Sequence, residues 1–563
     1  MKLSPAFFIA FLVGGAYGKP TARAMRIHET RDDIPSSFLG IGLAPPDTVL
    51  NLRLALVQGN FPALEQALMD VSTPGSPLYG QHLSKEEVEA LVAPKPETIA
   101  AVNTWLTENG IEASTVSPAG DWLQFAIPVS KANELLETRF SMFNHTPSGR
   151  TVIRTLAYSI PADLKGHVDL VHPTTSFTPP LHVPKLTFIP REEIEERELN
   201  VSASCQSAIT PACLQALYAI PSAPANVSSN TLGVSGFDEQ FANEQDLGIF
   251  LETFRPDIPP STTFNLLTFD GGENPQNRPG ILADLDIQYT IGLATNVPTF
   301  FASVGPNNTD GADFGLLDLI NATLVCSTPP HVIVTTSGED ENALSANLQT
   351  NLCNAYAQLG ARGISILFAS GDGGVAGNQA QNCTTFLPTF PSNCPFVTSV
   401  GATTGVEPEV AANFSSGGFS NIFAQPSYQA AAVSRYLSEL GNRNAGHFNR
   451  SGRAYPDLAA QGDNVEIVFA GQRGQVAGTE CSAPIVASVI ALLNDLLAQQ
   501  GRTPLGFLNP LLYSLQGTDA FTDITNGSNP GCGTNGFPAL TGWDAVTGLG
   551  TPNFTALSLA IGV

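Results

Sequence analysis

Charge is what this chain has least of. Asp, Glu, Lys and Arg make up 13% of its 563 residues, about half the share in an ordinary soluble domain. The shortage is one-sided, because 25 Lys and Arg face 50 Asp and Glu, a formal net charge of −25. Such a surface repels phosphate backbones and anionic lipid, which excludes nucleic acid and membrane surfaces as expected partners. It sheds net charge as pH falls toward the carboxylate range, which suits work in acid. Cysteine is missing from the whole N-terminal third, and all eight, Cys205, Cys213, Cys326, Cys353, Cys383, Cys394, Cys481 and Cys532, come later. They form no CxxC pair and no His/Cys ligand spacing, so nothing argues for zinc. Beyond the N-terminus, no apolar run reads as long enough to cross a bilayer.

What is present points to export. Lys2, the short apolar run from Ala6 to Val13, and the small residues Ala16 and Gly18 fit a signal peptide over 1–18, with an N-terminal core helix as the alternative. Ten Asn-x-Ser/Thr sites follow, from Asn144 to Asn553, and a secreted chain could carry sugar on many of them. An even number of cysteines in an oxidising compartment implies disulfides, of which Cys205 to Cys213 and Cys383 to Cys394 are the simplest local pairs. Cys481 reads as a buried free thiol.

Two units are expected. Residues 19–195 alternate helical and strand patterns, with a strand over Val49 to Val57, a helix over Phe61 to Val71, and two helices either side of the Pro-Lys-Pro break in EVEALVAPKPETIAAVNTWLTENG. This unit reads as α+β. It ends in the charged run REEIEERELNVS, a solvated linker where a protease could part the two units. From 203 to 563, the β-branched runs TLGVSGF, HVIVTTSG, ISILFASGD and FVTSVGATT alternate with helical segments such as Asn342 to Leu359. That is the pattern of a parallel sheet with helices on both faces, whose functional loops gather at the carboxyl ends of its strands.

Three segments could carry chemistry. In GTECSAPIVASVIALLND, Ser482 falls at a helix start with Pro484 in the first turn, where backbone N–H groups and the helix dipole favour an anion. An ordinary N-cap serine reads equally well there. In ILFASGDGGVAG, Asp372 ends a strand beside glycines that would let a substrate backbone approach, although turns also favour Asp at such a place. In FTDITNGSNPGCGTNGFPALTGWDAVTGLGTPNF, Asp523 and Asp544 lie in Gly- and Asn-rich loops that could hold a hard cation or simply be solvated turns.

Taken together, these segments resemble the sedolisin family, serine-carboxyl peptidases with a subtilisin-like catalytic domain, and its tripeptidyl peptidase branch in particular. LYGQHLSKEEVEALVAP is similar to the family's prodomain signature. ITPACLQALYAI, GFDEQFANEQDL, ILADLDIQY, ILFASGDGG, SGGFSNIFAQPSYQ, GRAYPDLAA, GTECSAP and GWDAVTGLGTPNF then follow in family order. The resemblance implies an α+β prodomain over 19–195, removed on activation, and a catalytic domain over 203–563. It implies Ser482 as nucleophile, Asp372 as the acid that supports the oxyanion, and Asp286 as the aspartate that orients a catalytic glutamate. It further implies Ca2+ held by Asp523, Asp544 and the carbonyls of Ile524 and Gly542, with Leu540 as a further carbonyl position. The expected protein is a secreted, monomeric acid peptidase acting on peptides or unfolded protein and releasing N-terminal tripeptides.

The chain departs from the family pattern at two places. Where the family has its catalytic Glu, four residues before the Asp and on the same helix face, this chain has Leu282. Asp284 is no substitute, since two residues of helix turn by about 200°, and it is expected to face solvent near the helix start. The second departure is Glu480, where the family usually has Ser. Glu480 or a rotated Asp286 is then a candidate base, and the alternative is an impaired relative that acts as a secreted binding or regulatory protein.

Overall fold

A computed structural model describes residues 23–35, 37–177, 186–190, 204–308 and 315–563. The expected signal peptide and the charged linker lie outside the described residues.

Seven parallel strands form the frame: β1 (Leu232–Gly236), β2 (Asn265–Phe269), β3 (Thr299–Val304), β4 (Val332–Thr335), β5 (Ser365–Ala369), β6 (Thr398–Thr404) and β7 (Leu458–Gln461). Their order is β2-β3-β1-β4-β5-β6-β7, and the short strand Val410–Ala411 runs antiparallel to β6. Each β-branched run read from the sequence is one of these strands. Alternating side chains feed two cores, as β5 shows: Leu367 enters one, while Ile366 and Phe368 enter the other. A parallel sheet buried on both faces requires this.

Helices α1 (Glu244–Phe254), α2 (Ile281–Leu293), α3 (Ala346–Ala361) and α4 (Thr479–Gln499) complete the frame. Residues of α2 and α4 enter the first core, and those of α3 enter the second. By length and apolarity α4 could cross a membrane, contrary to the sequence expectation, but 89% of its apolar window is buried. It is the central core helix, and its apolar surface is met by the sheet and α2. The hairpin of β8 (Val465–Phe469) and β9 (Gln472–Val476) covers the outer side of α2.

The N-terminal unit is the expected α+β body. Strand Val49–Leu56 pairs antiparallel with Trp122–Pro128 and Val168–His172, and helix Pro96–Glu108 closes its core through Val102, Trp105 and Leu106. Its helix Phe61–Ser72 joins the second core, where Leu64 and Leu68 meet Leu348, Leu352 and Tyr356 of α3. Arg53, buried in the N-terminal sheet, pairs with Asp318 of the helix Leu316–Val325. Among the described residues, apolar burial joins the two units, with this ion pair and hydrogen bonds such as that from the Leu83 amide to the Ala361 carbonyl set into it.

Three disulfides are formed, Cys205–Cys213, Cys353–Cys394 and Cys383–Cys532, and Cys481 is a buried free thiol. The expected Cys383–Cys394 pair is therefore wrong. Cys394 is fully buried where its loop covers α3, beside Cys353, whereas Cys383 lies out on the loop that reaches the C-terminal segment. Among the glycosylation candidates, Asn321 is buried and Asn553 caps the C-terminal helix.

Leu68 has no exposed surface and lies in the core shared by both units. Leu68→Ala should lower the stability of the precursor by about 2–5 kcal/mol, read as a lower urea midpoint. An unchanged midpoint would show that this seam does not hold the two units together.

Candidate active site

Whereas Asp523 and Asp544 lie apart in the C-terminal loops, Asp286 and Asp372 lie near the carboxyl ends of β4 and β5, bordering the start of the helix that bears Ser482. This is beside the topological switch between β1 and β4, where open α/β sheets place their ligands. Ser482 stands on α4, one turn in from Thr479, with no exposed surface. Pro484 lies in the second turn rather than the first, so the carbonyl of Glu480 lacks the helical N–H partner that residue 484 would otherwise supply. The Ser482 hydroxyl donates to the carbonyls of Ala460, at 2.9 Å, and Gln461, at 3.2 Å.

Asp372 follows β5 in a glycine turn. Its Oδ1 accepts from the Thr479 amide at 2.8 Å and the Thr479 hydroxyl at 3.1 Å, and that hydroxyl also accepts from the Gly371 amide. Thr479 thus ties the start of α4 to the Asp372 loop. Gly478 makes the close approach possible: a Cβ there would lie 2.2 Å from Glu480 Oε2 and 2.8 Å from Asp372 Oδ2. The two carboxyl groups thus face each other across Gly478.

Asp286 comes from α2, and its Oδ2 accepts from the Thr336 hydroxyl, just beyond β4, at 2.7 Å. Its charge reaches Glu480. Asp286 Oδ1 and Glu480 Oε2 have no hydrogen-bond donor. Leu282, one turn earlier on the same face of α2, is buried and lies in the first core. Asp284 points elsewhere, as expected, but not to solvent. It is 1% exposed, its Oδ1 accepts from the Asn243 amide at 2.7 Å, and it hydrogen-bonds Asp246. Helix α2 is buried on all sides apart from its first residue, so no solvent face exists to receive Asp284. It braces the start of α1 instead.

The electrostatics are unusual for so acidic a site. Burial pushes Asp286 well above the usual carboxylate range, against the Thr336 hydrogen bond. Burial and then the charge of Asp372 push Glu480 up in the same way. Asp372 is raised by burial and held back by the Thr479 amide and by Glu480. Asp457 shows the contrast, because its carboxylate is paired with the fully buried Arg453 at 2.6 Å. At the cluster of Asp286, Asp372 and Glu480, protons take the place of that cation.

Sequence reading put forward Ser482, Asp286 and Asp372 as candidates. It missed Thr336 and Thr479, each of which fixes one carboxyl, although the strand-end Thr-Thr-Ser and the Gly-Thr turn were visible. It also missed a segment of the N-terminal unit that crosses the site. Ile189–Pro190 pairs antiparallel with Gln475–Gly474, Phe188 stacks edge-on against Phe469, and Leu186 Cδ2 lies 3.0 Å from where a Cβ of Gly478 would stand. Residues lying over the site before the second unit begins are the arrangement of a zymogen.

A buried carboxyl with a raised folded-state pKa binds its proton more tightly folded than unfolded. Its contribution to stability is present in acid and is lost as pH rises through the folded pKa. In a Ser482→Ala background, the thermal midpoint should therefore be higher near pH 5 than near pH 8, and Asp286→Asn should narrow the difference. A midpoint that rises with pH, or one indifferent to Asp286→Asn, would contradict the assignment.

Comparison with known proteins places the chain. Residues 37–177 match the Pro-kumamolisin activation domain, and residues 274–504 match the subtilase family. The chain is 38% identical to tripeptidyl-peptidase SED2 of Arthroderma otae, over 98% of each chain. It is also 38% identical to the probable tripeptidyl-peptidase SED3 of Trichophyton verrucosum, over 93% of each. Pseudomonas sedolisin, a serine-carboxyl proteinase solved with two molecules of pseudo-iodotyrostatin, has the same fold. Its TM-score is 0.52 at 22% identity, over 63% of this chain and 98% of that one. The protein with this acid cluster beside a buried helix-borne serine belongs to the tripeptidyl-peptidase branch of the sedolisin family, and it is a serine-type peptidase with an N-terminal activation domain.

Proposed function

We propose that this protein is a secreted peptidase that works in acid, cuts peptide bonds through an acyl-enzyme on Ser482, and releases tripeptides from free N-termini. The observation that carries the reading is the convergence of Asp286, Asp372 and Glu480, with raised proton affinities, around the helix start that bears Ser482. Tripeptide release comes from the names of the SED relatives.

In this mechanism substrate binding draws the Ser482 hydroxyl away from the carbonyls of Ala460 and Gln461. A carboxylate of the cluster takes its proton as Oγ attacks the scissile carbonyl, and protonated Asp372 donates to the oxyanion. Collapse expels the amine, and water then hydrolyses the acyl-enzyme. The same chemistry gives an acid optimum, because a neutral Asp372 is needed in the step that forms the oxyanion. Residues 1–18 direct export, 19–195 form the removable prodomain and 203–563 the working enzyme. The three disulfides suit an oxidising compartment.

The C-terminal loops fit the proposed Ca2+. Asp523 Oδ2 accepts from the Gly542 amide and Asp544 Oδ2 from the Leu540 amide, so both carboxylates border the same turn. With the carbonyls of Ile524, Gly542 and Leu540 they would supply oxygen donors only, the kind calcium takes. The ion would brace these loops, which Cys383–Cys532 ties to the segment after Asp372.

Leu282 favours the second reading, a pseudoenzyme, since it sets an apolar side chain on the face that carries Asp286. Turnover decides between the two. The purified chain, incubated in acid, should lose its N-terminal unit and cleave an unblocked peptide but not its N-acylated form. Ser482→Ala should lower cleavage on the order of 10^3-fold or more, and equal rates for wild type and Ser482→Ala would leave only the pseudoenzyme. Chelation of Ca2+ should lower the thermal midpoint of wild type, and Asp544→Ala should abolish that response.

A further inference from the structure

We propose that the outer edge of β9 receives the leaving half of a peptide substrate, and that Phe469 and Gly474 form a subsite there for an aromatic side chain. The proposal rests on the peptidase reading above. What carries it is the chain's own segment Leu186–Pro190, which is seated on that edge as an extended peptide. Ile189 and Pro190 pair antiparallel with Gln475 and Gly474, so that β9 is the middle strand of three. Burial along the segment has a period of two. Leu186 is buried in the first core and Phe188 is half-buried against it, whereas Thr187 and Ile189 are exposed. Leu186 and Phe188 therefore both face the second unit, two residues apart.

A glycine receives each inward side chain. A Cβ on Gly478 would stand 2.8 Å from Asp372 Oδ2 and 3.0 Å from Leu186 Cδ2. A Cβ on Gly462 would stand 2.8 Å from the Gly478 carbonyl oxygen and 2.9 Å from Ser482 Oγ. Leu186 thus lies where the Asp372 loop and the start of α4 meet. Phe188 lies over Gly474: a Cβ there would be 2.4 Å from two carbons of its ring and 2.7 Å from the Ile189 carbonyl oxygen. The Phe188 ring also meets Phe469 edge-on, with centroids 5.5 Å apart. Gly474 is in ordinary strand conformation, without a positive φ, so its backbone does not call for glycine. The ring and the paired strand do.

Direction assigns the occupant. From Leu186 to Pro190 the segment runs away from Gly478 along β9, so a substrate lying the same way carries the residues after the cut on this edge. Among the described residues, Ile189–Pro190 is the strand that covers it. With the N-terminal unit removed, the edge is open to add an extended peptide through main-chain bonds, while a pocket for alternate side chains supplies selectivity. An enzyme that holds three residues before the cut gains its grip on longer chains from such an edge.

Two measurements test this, with thermal melts to verify folding. In the full chain carrying Ser482→Ala, added trypsin must draw Leu186 and the residues after it off β9 to cut the Lys185–Leu186 bond. Adding Phe188→Ala or Gly474→Val should speed that cut by about tenfold or more, and an unchanged rate in either folded variant overturns the proposal. In the acid-processed enzyme, unblocked peptides are compared that carry alanines after the third residue, with one Phe moved along them. One position should raise kcat/KM about tenfold or more over the all-alanine peptide. In Phe469→Ala and in Gly474→Val that ratio should fall to about one. A gain at no position, or a gain kept in either folded variant, overturns the proposal. Failure of the peptidase reading looks different, since wild type would then cleave no faster than Ser482→Ala.

Discussion

Carboxyl groups buried without a cation are the constraint around which this structure is arranged. An isolated ionised carboxylate in a low-dielectric interior costs far more than a protonated one, so such groups stay neutral or share protons. Asp284, Asp286, Asp372 and Glu480 are all raised by burial, and the further influences on them are other carboxyls and hydrogen bonds rather than Lys or Arg. The chain has arginines for buried pairing, as Arg453 with Asp457 and Arg53 with Asp318 show. They are placed elsewhere in the fold. Here the protein holds protons instead of counter-ions.

The fold exists to hold these groups. Two helices with almost no exposed face, α2 and α4, press against each other and the sheet, bringing Asp286 to one side of Glu480. The turn after β5 brings Asp372 to the other, and Thr479 fastens that turn to α4. Asp286 and Asp372 are each anchored by a threonine, whereas Glu480 is buried with an oxygen that has no donor among the described residues.

Much of this was legible in the sequence. The β-branched runs became parallel strands, and the Pro-Lys-Pro break fell between the helices Lys85–Val92 and Pro96–Glu108. Turn glycines and a helix start put Asp372 and Ser482 forward as candidates because such signals are local, and the family resemblance added Asp286. The misreadings were long-range or depended on a helix having a solvent side. Asp284 looked exposed because helix starts usually are, and α2 proved enclosed. Cys383 looked close to Cys394 in sequence, but a buried loop and an outer loop separate them in space. The contact of Glu480 with Asp372 links residues more than a hundred positions apart, and no periodicity encodes it. Leu282 made the loss of one carboxyl visible, while the fold shows where another stands.

Protonation of the buried carboxyls can be observed directly by infrared difference spectroscopy of the folded Ser482→Ala protein near neutral pH, comparing Glu480 with Glu480→Gln in that background. The account predicts a protonated-carboxyl C=O stretch that loses intensity in the Glu480→Gln variant, because burial holds the Glu480 proton. A spectrum with no such band, or a band unaffected by the substitution, would contradict it.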